Sequence, residues 1–133
     1  MPADIERRVS PDLFPPPGYS HTVVSRAAAT VWTAGGVPLD ADGELVGPGD
    51  VSAQAAQVLA NLTTALAAAG ASPSDVVRTT VYVVTTDRAD LGAVWDVVQA
   101  SPYAPAASTL LGVGLLGYEG QLVEIEATAV IGA

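Results

Sequence analysis

Carboxylates dominate the side chains of this sequence that can do chemistry at neutral pH. Glu124 and Glu126 stand two apart in the run Val123-Glu124-Ile125-Glu126-Ala127. If that run is a strand, both carboxylates leave one face while Val123, Ile125 and Ala127 leave the other. A carboxylate on such a half-apolar surface can transfer a proton or activate a water. The other reading of Glu124 is a solvated or interfacially hydrogen-bonded strand residue, and Glu126 reads as structural. Tyr19 either covers a ligand or packs behind the proline-rich run that precedes it. Ser108 and Thr109 offer hydroxyls to a ligand, although strand propensity alone accounts for Thr109. Trp95 shares helical spacing with Leu91, Val94 and Val98, which reads as core or interface. His21 reads as a strand or surface residue.

Composition removes whole classes of function. The 133 residues contain no Cys and one His, which excludes thiolate catalysis and Cys-ligated metal and argues against a Ser-His-Asp relay or a multi-His metal site within one chain. No metal or cofactor is expected. Gly35-Gly36 reads as a turn with close backbone approach, since no Gly-Lys phosphate-loop continuation follows. Five Arg and no Lys stand against fourteen Asp plus Glu, a formal charge of −9. Nucleic acid and anionic membranes are therefore poor partners, because their binding draws on cations. Polar residues interrupt the longest apolar stretch, residues 51–70, which excludes a membrane span. The charged N-terminus has no apolar core of the signal-peptide kind. A cytoplasmic protein is the expectation.

The elements that must position these residues follow from pattern. Residues 1–18, ending in Phe14-Pro15-Pro16-Pro17-Gly18, read as an extended lead-in to a single domain spanning residues 1–133. Residues 21–25 and 30–34 are β-branched and aromatic runs separated by Arg26-Ala27-Ala28-Ala29, and read as two paired strands. Asp50 is a plausible N-cap and Gly70 a stop for a helix whose Ala55, Leu59, Leu62 and Leu66 share one face. Residues 76–86 read as a strand with Val77, Thr79, Val81 and Val83 on one side. Asp87 or Thr86 then caps a second helix, which Ser101-Pro102 ends. Residues 109–113 and 122–131 read as a closing strand pair. The order is ββαβαββ, an α+β layer with two helices on one face of a mixed sheet. The opposite face carries Glu124, Glu126, Tyr82, Val84 and Val130, a mixture expected of a face shared with another subunit.

With these pieces in order, the chain resembles the RidA/YjgF family, also known as L-PSP endoribonuclease-like or reactive-intermediate deaminases. The resemblance rests on Thr33-Ala34-Gly35-Gly36-Val37-Pro38, on Asp50, Gln54, Asn61, Leu66 and Ala69-Gly70, on Asp75-Val76-Val77-Arg78-Thr79-Thr80-Val81-Tyr82-Val83, on Pro105-Ala106-Ala107-Ser108-Thr109, and on Val123-Glu124-Ile125-Glu126-Ala127. It implies a chorismate-mutase-like fold, a homotrimer with a barrel-like core, and small-molecule clefts between subunits where an imine or enamine is hydrolysed to a keto acid and ammonia. Glu124 takes the place of the family's catalytic glutamate. Tyr19, Gly35, Ala107, Ser108 and Thr109 fall at substrate-binding positions. At position 107, where the resemblance implies a carboxylate-clamping arginine, this chain has Ala, and none of Arg7, Arg8, Arg26, Arg78 and Arg88 falls in an expected cleft segment. A methyl group cannot supply the paired charge-assisted bonds of a guanidinium, so a bulkier and less charged ligand than a simple amino-acid enamine is expected. The expected function is imine or enamine hydrolysis, or related acid–base chemistry. The alternatives are a non-catalytic small-molecule-binding or regulatory trimer and, disfavoured by charge, an endoribonuclease.

Overall fold

A computed structural model describes residues 4–12, 14–26 and 29–132. In chain order the elements are β1 (Ile5–Arg8), β2 (Thr22–Ser25), β3 (Ala29–Trp32), α1 (Val51–Ala68), a short 3-10 turn (Pro73–Asp75), β4 (Val76–Val84), α2 (Arg88–Gln99), β5 (Ala107–Val113) and β6 (Val123–Ile131). The lead-in therefore carries a strand of its own. Ala27 and Ala28, read as part of the connection between the second and third of these strands, lie outside the described residues, as do residues 1–3 of the lead-in.

Both helices begin where their capping residues dictate. The Asp50 carboxylate accepts from the Ala53 amide at 3.0 Å, and the Asp87 carboxylate accepts from the Ala89 amide at 2.9 Å, each satisfying a donor that a helix start leaves open. At the other end of α1, Gly70 adopts φ 79°. Its amide donates to the Ala67 carbonyl at 3.1 Å and that of Ala71 to the Leu66 carbonyl at 2.9 Å. That pair of bonds needs a left-handed residue, which glycine supplies without a Cβ penalty. Gln54, Ala55, Val58, Leu59, Leu62 and Leu66 form the buried face of α1. Each fully buried leucine contributes about 1.5–3 kcal/mol of hydrophobic stabilisation.

The main sheet has the order β3-β6-β4-β5, with β6 antiparallel to β3 and β4, and β4 parallel to β5. It is a mixed sheet with the two helices packed on one face, as the pattern predicts. Two expected pairings are corrected. β2 pairs with β1, from Ile5 opposite Ser25 to Arg8 opposite Thr22, and β3 pairs with β6. β5 and β6 are separated by β4. The reason lies in the connections: α2 supplies the long crossover that a parallel β4–β5 pair requires, and residues 114–122 form no tight hairpin turn. The phase of β4 is corrected as well. A register shift between Val76 and Arg78 places Val76 in the core and leaves Val77 half-buried, the usual effect of an extra residue in a ladder.

Val81, Val83, Val123, Ile125, Ala127 and Ala129 meet α1 and α2 in one core. Thr79 is buried among them because its hydroxyl donates to Ser108 Oγ at 2.7 Å. Gln54 is also fully buried, and each of its polar atoms is occupied: Nε2 donates to the carbonyls of Gly47 and Gly120, both at 3.1 Å, and Oε1 accepts from the Leu122 amide at 2.7 Å. It ties α1 to the entry of β6.

Candidate functional site

β3 hands over to the glycine turn through an irregularity. Trp32 pairs with Thr128 and Gly36 bridges Ile125, so four steps of one strand face three of the other. The Thr33 amide donates to the Ala127 carbonyl at 2.9 Å, and the Gly36 amide donates to the Ile125 carbonyl at 2.7 Å. Gly35 is thereby placed against the Glu124 side chain, where a Cβ would lie 2.6 Å from Glu124 Cδ. Gly36 faces the other way, where a Cβ would come 2.9 Å from Leu62 Cγ, so the absence of a side chain lets α1 approach the turn. Glu124 Oε1 accepts from Gln121 Nε2 at 3.1 Å. The buried Gln121 is itself oriented, because its Oε1 accepts from the Tyr118 amide at 3.1 Å. Glu124 Oε2 has no hydrogen-bond partner among the described residues.

The segment at the start of β5 is divided by strand alternation. Ala107 and Thr109 face the sheet surface away from the helices, while Ser108 faces the helix side, where it meets Thr79. Ala107 stands directly opposite Arg78 on β4, and Arg78 Nη2 donates to Thr109 Oγ1 at 2.7 Å. A guanidinium thus lies beside position 107, delivered by the neighbouring strand. Arg78 makes no ion pair among the described residues. Together with Trp32, Thr33, Thr80, Glu126 and Thr128 it lines a hollow of about 190 Å³. Tyr82 donates to Glu126 Oε1 at 2.8 Å, and that bond to a carboxylate raises the phenol's pKa above its ordinary value, with burial adding to the effect.

Tyr19 is brought to the helix side by a turn at Pro16-Pro17-Gly18. Gly18 has φ 85°, and a Cβ there would lie 2.6 Å from Gln99 Cγ, so this position requires glycine. Ser20 fixes the next step by donating from Oγ to the Pro105 carbonyl at 2.5 Å. The Tyr19 ring meets the Trp95 ring edge-on, with centroids 6.2 Å apart. Tyr19 and Ser108 therefore share a cavity with Pro17, Trp95 and Leu110. Trp95 packs against the core, as its spacing predicts, and in addition walls this cavity.

Within one chain the expected site residues fall into three groups: Gly35 with Glu124, Ala107 and Thr109 with Arg78, and Tyr19 with Ser108. The sequence reading puts Arg78 outside the expected cleft segments, and the structure instead sets it opposite Ala107; Gln121 was not singled out. Finding Arg78 requires knowing that β4 and β5 are parallel neighbours in the observed register. Gln121, three residues before Glu124, carries no motif.

The α+β layer, with two helices on one face of a mixed four-stranded sheet, defines the fold class. The family model described as Endoribonuclease L-PSP matches residues 12–131, and the chain belongs to this family, which includes the Rid and YjgF proteins. It is similar to protein DfrA of Myxococcus xanthus, with 40% identity over 114 residues and 84% of each chain covered. The crystal structure of YyfB from Yersinia pestis, a protein of the conserved Rid family, superposes with a TM-score of 0.90 at 41% identity, covering 96% of this chain and 99% of that one. The YjgF gene product of E. coli superposes with a TM-score of 0.66 at 29% identity, covering 93% and 92%. No helix among the described residues is long and apolar enough to cross a membrane.

Proposed function

We propose that this chain, as one Rid-like unit, assembles into a cytoplasmic homotrimer that hydrolyses a small imine, enamine or related metabolite at clefts between subunits, without a cofactor. The observation that carries this reading is the setting of Glu124. Gln121 holds one carboxylate oxygen, and Gly35 leaves the backbone beside it bare. Glu124 takes a proton from water as the water oxygen attacks the imine carbon. That proton passes to the imine nitrogen, and as the C–N bond of the resulting carbinolamine breaks, its hydroxyl proton moves to the departing nitrogen, so that the keto compound and ammonia leave. Tyr19, Gly35, Ala107, Ser108 and Thr109 are the proposed ligand-contacting positions.

Charge recognition fits a cleft made by two chains. Arg78 stands opposite Thr128 and Glu124 opposite Tyr82, four residues apart along the sheet, or about 13 Å at about 3.3 Å per residue. That span exceeds a small imine. Arg78 of one subunit facing Glu124 of another would bring cation and carboxylate to one substrate.

Because Ala107 argues against a simple amino-acid enamine as substrate, the test compares imines generated by an amino-acid oxidase from L-leucine and from the bulkier L-phenylalanine, with keto-acid release followed over the spontaneous rate. Acceleration that disappears in Glu124→Gln supports the proposal, and acceleration unchanged in that variant shows the assignment of Glu124 to be wrong. The second reading, a binding or regulatory trimer, is favoured by the methyl group at position 107. Binding without turnover, together with turnover appearing in Ala107→Arg, would establish it. An endoribonuclease is disfavoured by the charge of −9.

A further inference from the structure

The register of β4 and β6 sets a cation and a carboxylate where they could pair. Arg78 stands opposite Thr128 and Thr80 opposite Glu126, so Arg78 and Glu126 are diagonal neighbours on the sheet face away from the helices. A diagonal of this kind lies within reach of long side chains, and both residues line the same hollow. They nevertheless form no ion pair. Among the described residues, the ion pairs join Arg8 to Glu6 and Arg26 to Asp4 and Glu6.

Each of the two is held by a different neighbour. Thr80 is flanked by Thr109 on β5 and by Glu126 on β6. From one side of Thr80 along β4, Arg78 Nη2 donates to Thr109 Oγ1 at 2.7 Å, and from the other side the Tyr82 hydroxyl donates to Glu126 Oε1 at 2.8 Å. The guanidinium is turned toward β5, the strand that carries Ala107, while the carboxylate is drawn along β6 away from it. A hydroxyl bond to an ionised carboxylate is roughly twice as strong as a neutral one, so Tyr82 is an effective restraint. Tyr82 stands directly opposite Glu124 and yet bonds Glu126. Glu124 has its own holder in Gln121.

We infer that Tyr82 is a positioning residue acting through Glu126: by holding that carboxylate away from Arg78, it keeps the guanidinium open to the carboxylate of a ligand and favours acidic ligands over neutral ones. This inference rests on the proposed reading in which Arg78 meets substrate in a cleft between two chains. Without the hydroxyl, Glu126 competes with the ligand for one cation.

The test measures binding of phenylpyruvate to the full chain by calorimetry, with the uncharged benzyl methyl ketone as control. Tyr82→Phe should weaken phenylpyruvate about two- to fivefold, the scale on which an exposed ion pair competes, and leave the ketone unchanged. Adding Glu126→Gln to Tyr82→Phe should restore the parent affinity, since a neutral amide does not neutralise a guanidinium. In parallel, the Arg78 side-chain N–H resonance, assigned through Arg78→Met, should exchange with water more slowly in Tyr82→Phe than in the parent and return to the parent rate in the double variant. Phenylpyruvate binding that is lost in Arg78→Met but unchanged in Tyr82→Phe, or not restored in the double variant, overturns the role of Tyr82 and leaves the cleft reading standing. Phenylpyruvate binding that is absent from the parent, or equal in Arg78→Met, overturns both.

Discussion

Gly35 and Glu124 occupy one another's space: the Glu124 side chain lies where a side chain at residue 35 would be, and a Cβ there would approach Cδ at 2.6 Å and Cγ at 2.8 Å. Gly35 has no left-handed backbone to protect. The cost of Gly35→Ala therefore falls on the position of the carboxylate rather than on the turn. Turnover should fall by as much as the roughly 100- to 10,000-fold that a positioned acid–base group contributes, while the melting temperature changes little. Steady-state kinetics beside a thermal melt checks this, and turnover equal to that of the parent would contradict it.

If substrate is shared between Arg78 of one subunit and Glu124 of another, two inactive variants should rescue one another. Arg78→Met and Glu124→Gln subunits, unfolded together and reassembled, should regain activity at clefts that draw one intact residue from each. Each variant reassembled alone should stay inactive. No recovery in mixed trimers of confirmed composition would place both residues of a site in the same chain, or remove Arg78 from it.

Gln54 makes a stability prediction that does not depend on function. Gln54→Leu keeps the volume and leaves the Gly47 and Gly120 carbonyls and the Leu122 amide without their partner. The Gly47 carbonyl and the Leu122 amide belong to half-buried residues and the Gly120 carbonyl to an exposed one that water can satisfy, and each unpaired group kept from water costs about 1–3 kcal/mol. A loss of about 2–5 kcal/mol in urea unfolding is expected, with the β6 entry the first region to lose protection from hydrogen exchange.

Tyr82 and Tyr103 both have raised pKa values, for different reasons: Tyr82 chiefly through its bond to Glu126, and Tyr103 chiefly through burial. A phenol that ionises later in the folded state than in the unfolded state stabilises the fold below its ordinary pKa of about 10. That contribution is lost as pH rises through the folded value. Absorbance titration at alkaline pH should show Glu126→Gln returning Tyr82 toward the ordinary range with Tyr103 unmoved. Tyr82→Phe identifies the transition, and an identical curve for Glu126→Gln would refute the coupling.

The helices were legible because their signals are local. Asp50 and Asp87 cap, Gly70 stops, and the apolar spacing of Leu59, Leu62 and Leu66 marks the inward face. The alternation around Glu124 was equally plain, since β6 is half-buried along its length. Pairing was not legible. Nothing within residues 22–25 specifies Ile5–Arg8 as their partner, and nothing in residues 107–113 distinguishes a parallel neighbour reached through α2 from an antiparallel one reached through residues 114–122. The same gap hid Arg78, whose relation to Ala107 exists only in the register of two strands 29 residues apart in the chain. The role of Trp95 was half-visible: its helical spacing predicts the packing, but the cavity depends on Gly18 turning Tyr19 back toward α2.

The alternation of β5 has an evolutionary consequence. Codons 107 and 109 write to one molecular surface and codons 108 and 110 to the other, so a single-nucleotide change can alter the chemistry of one face while the adjacent position on the other face stays as it was.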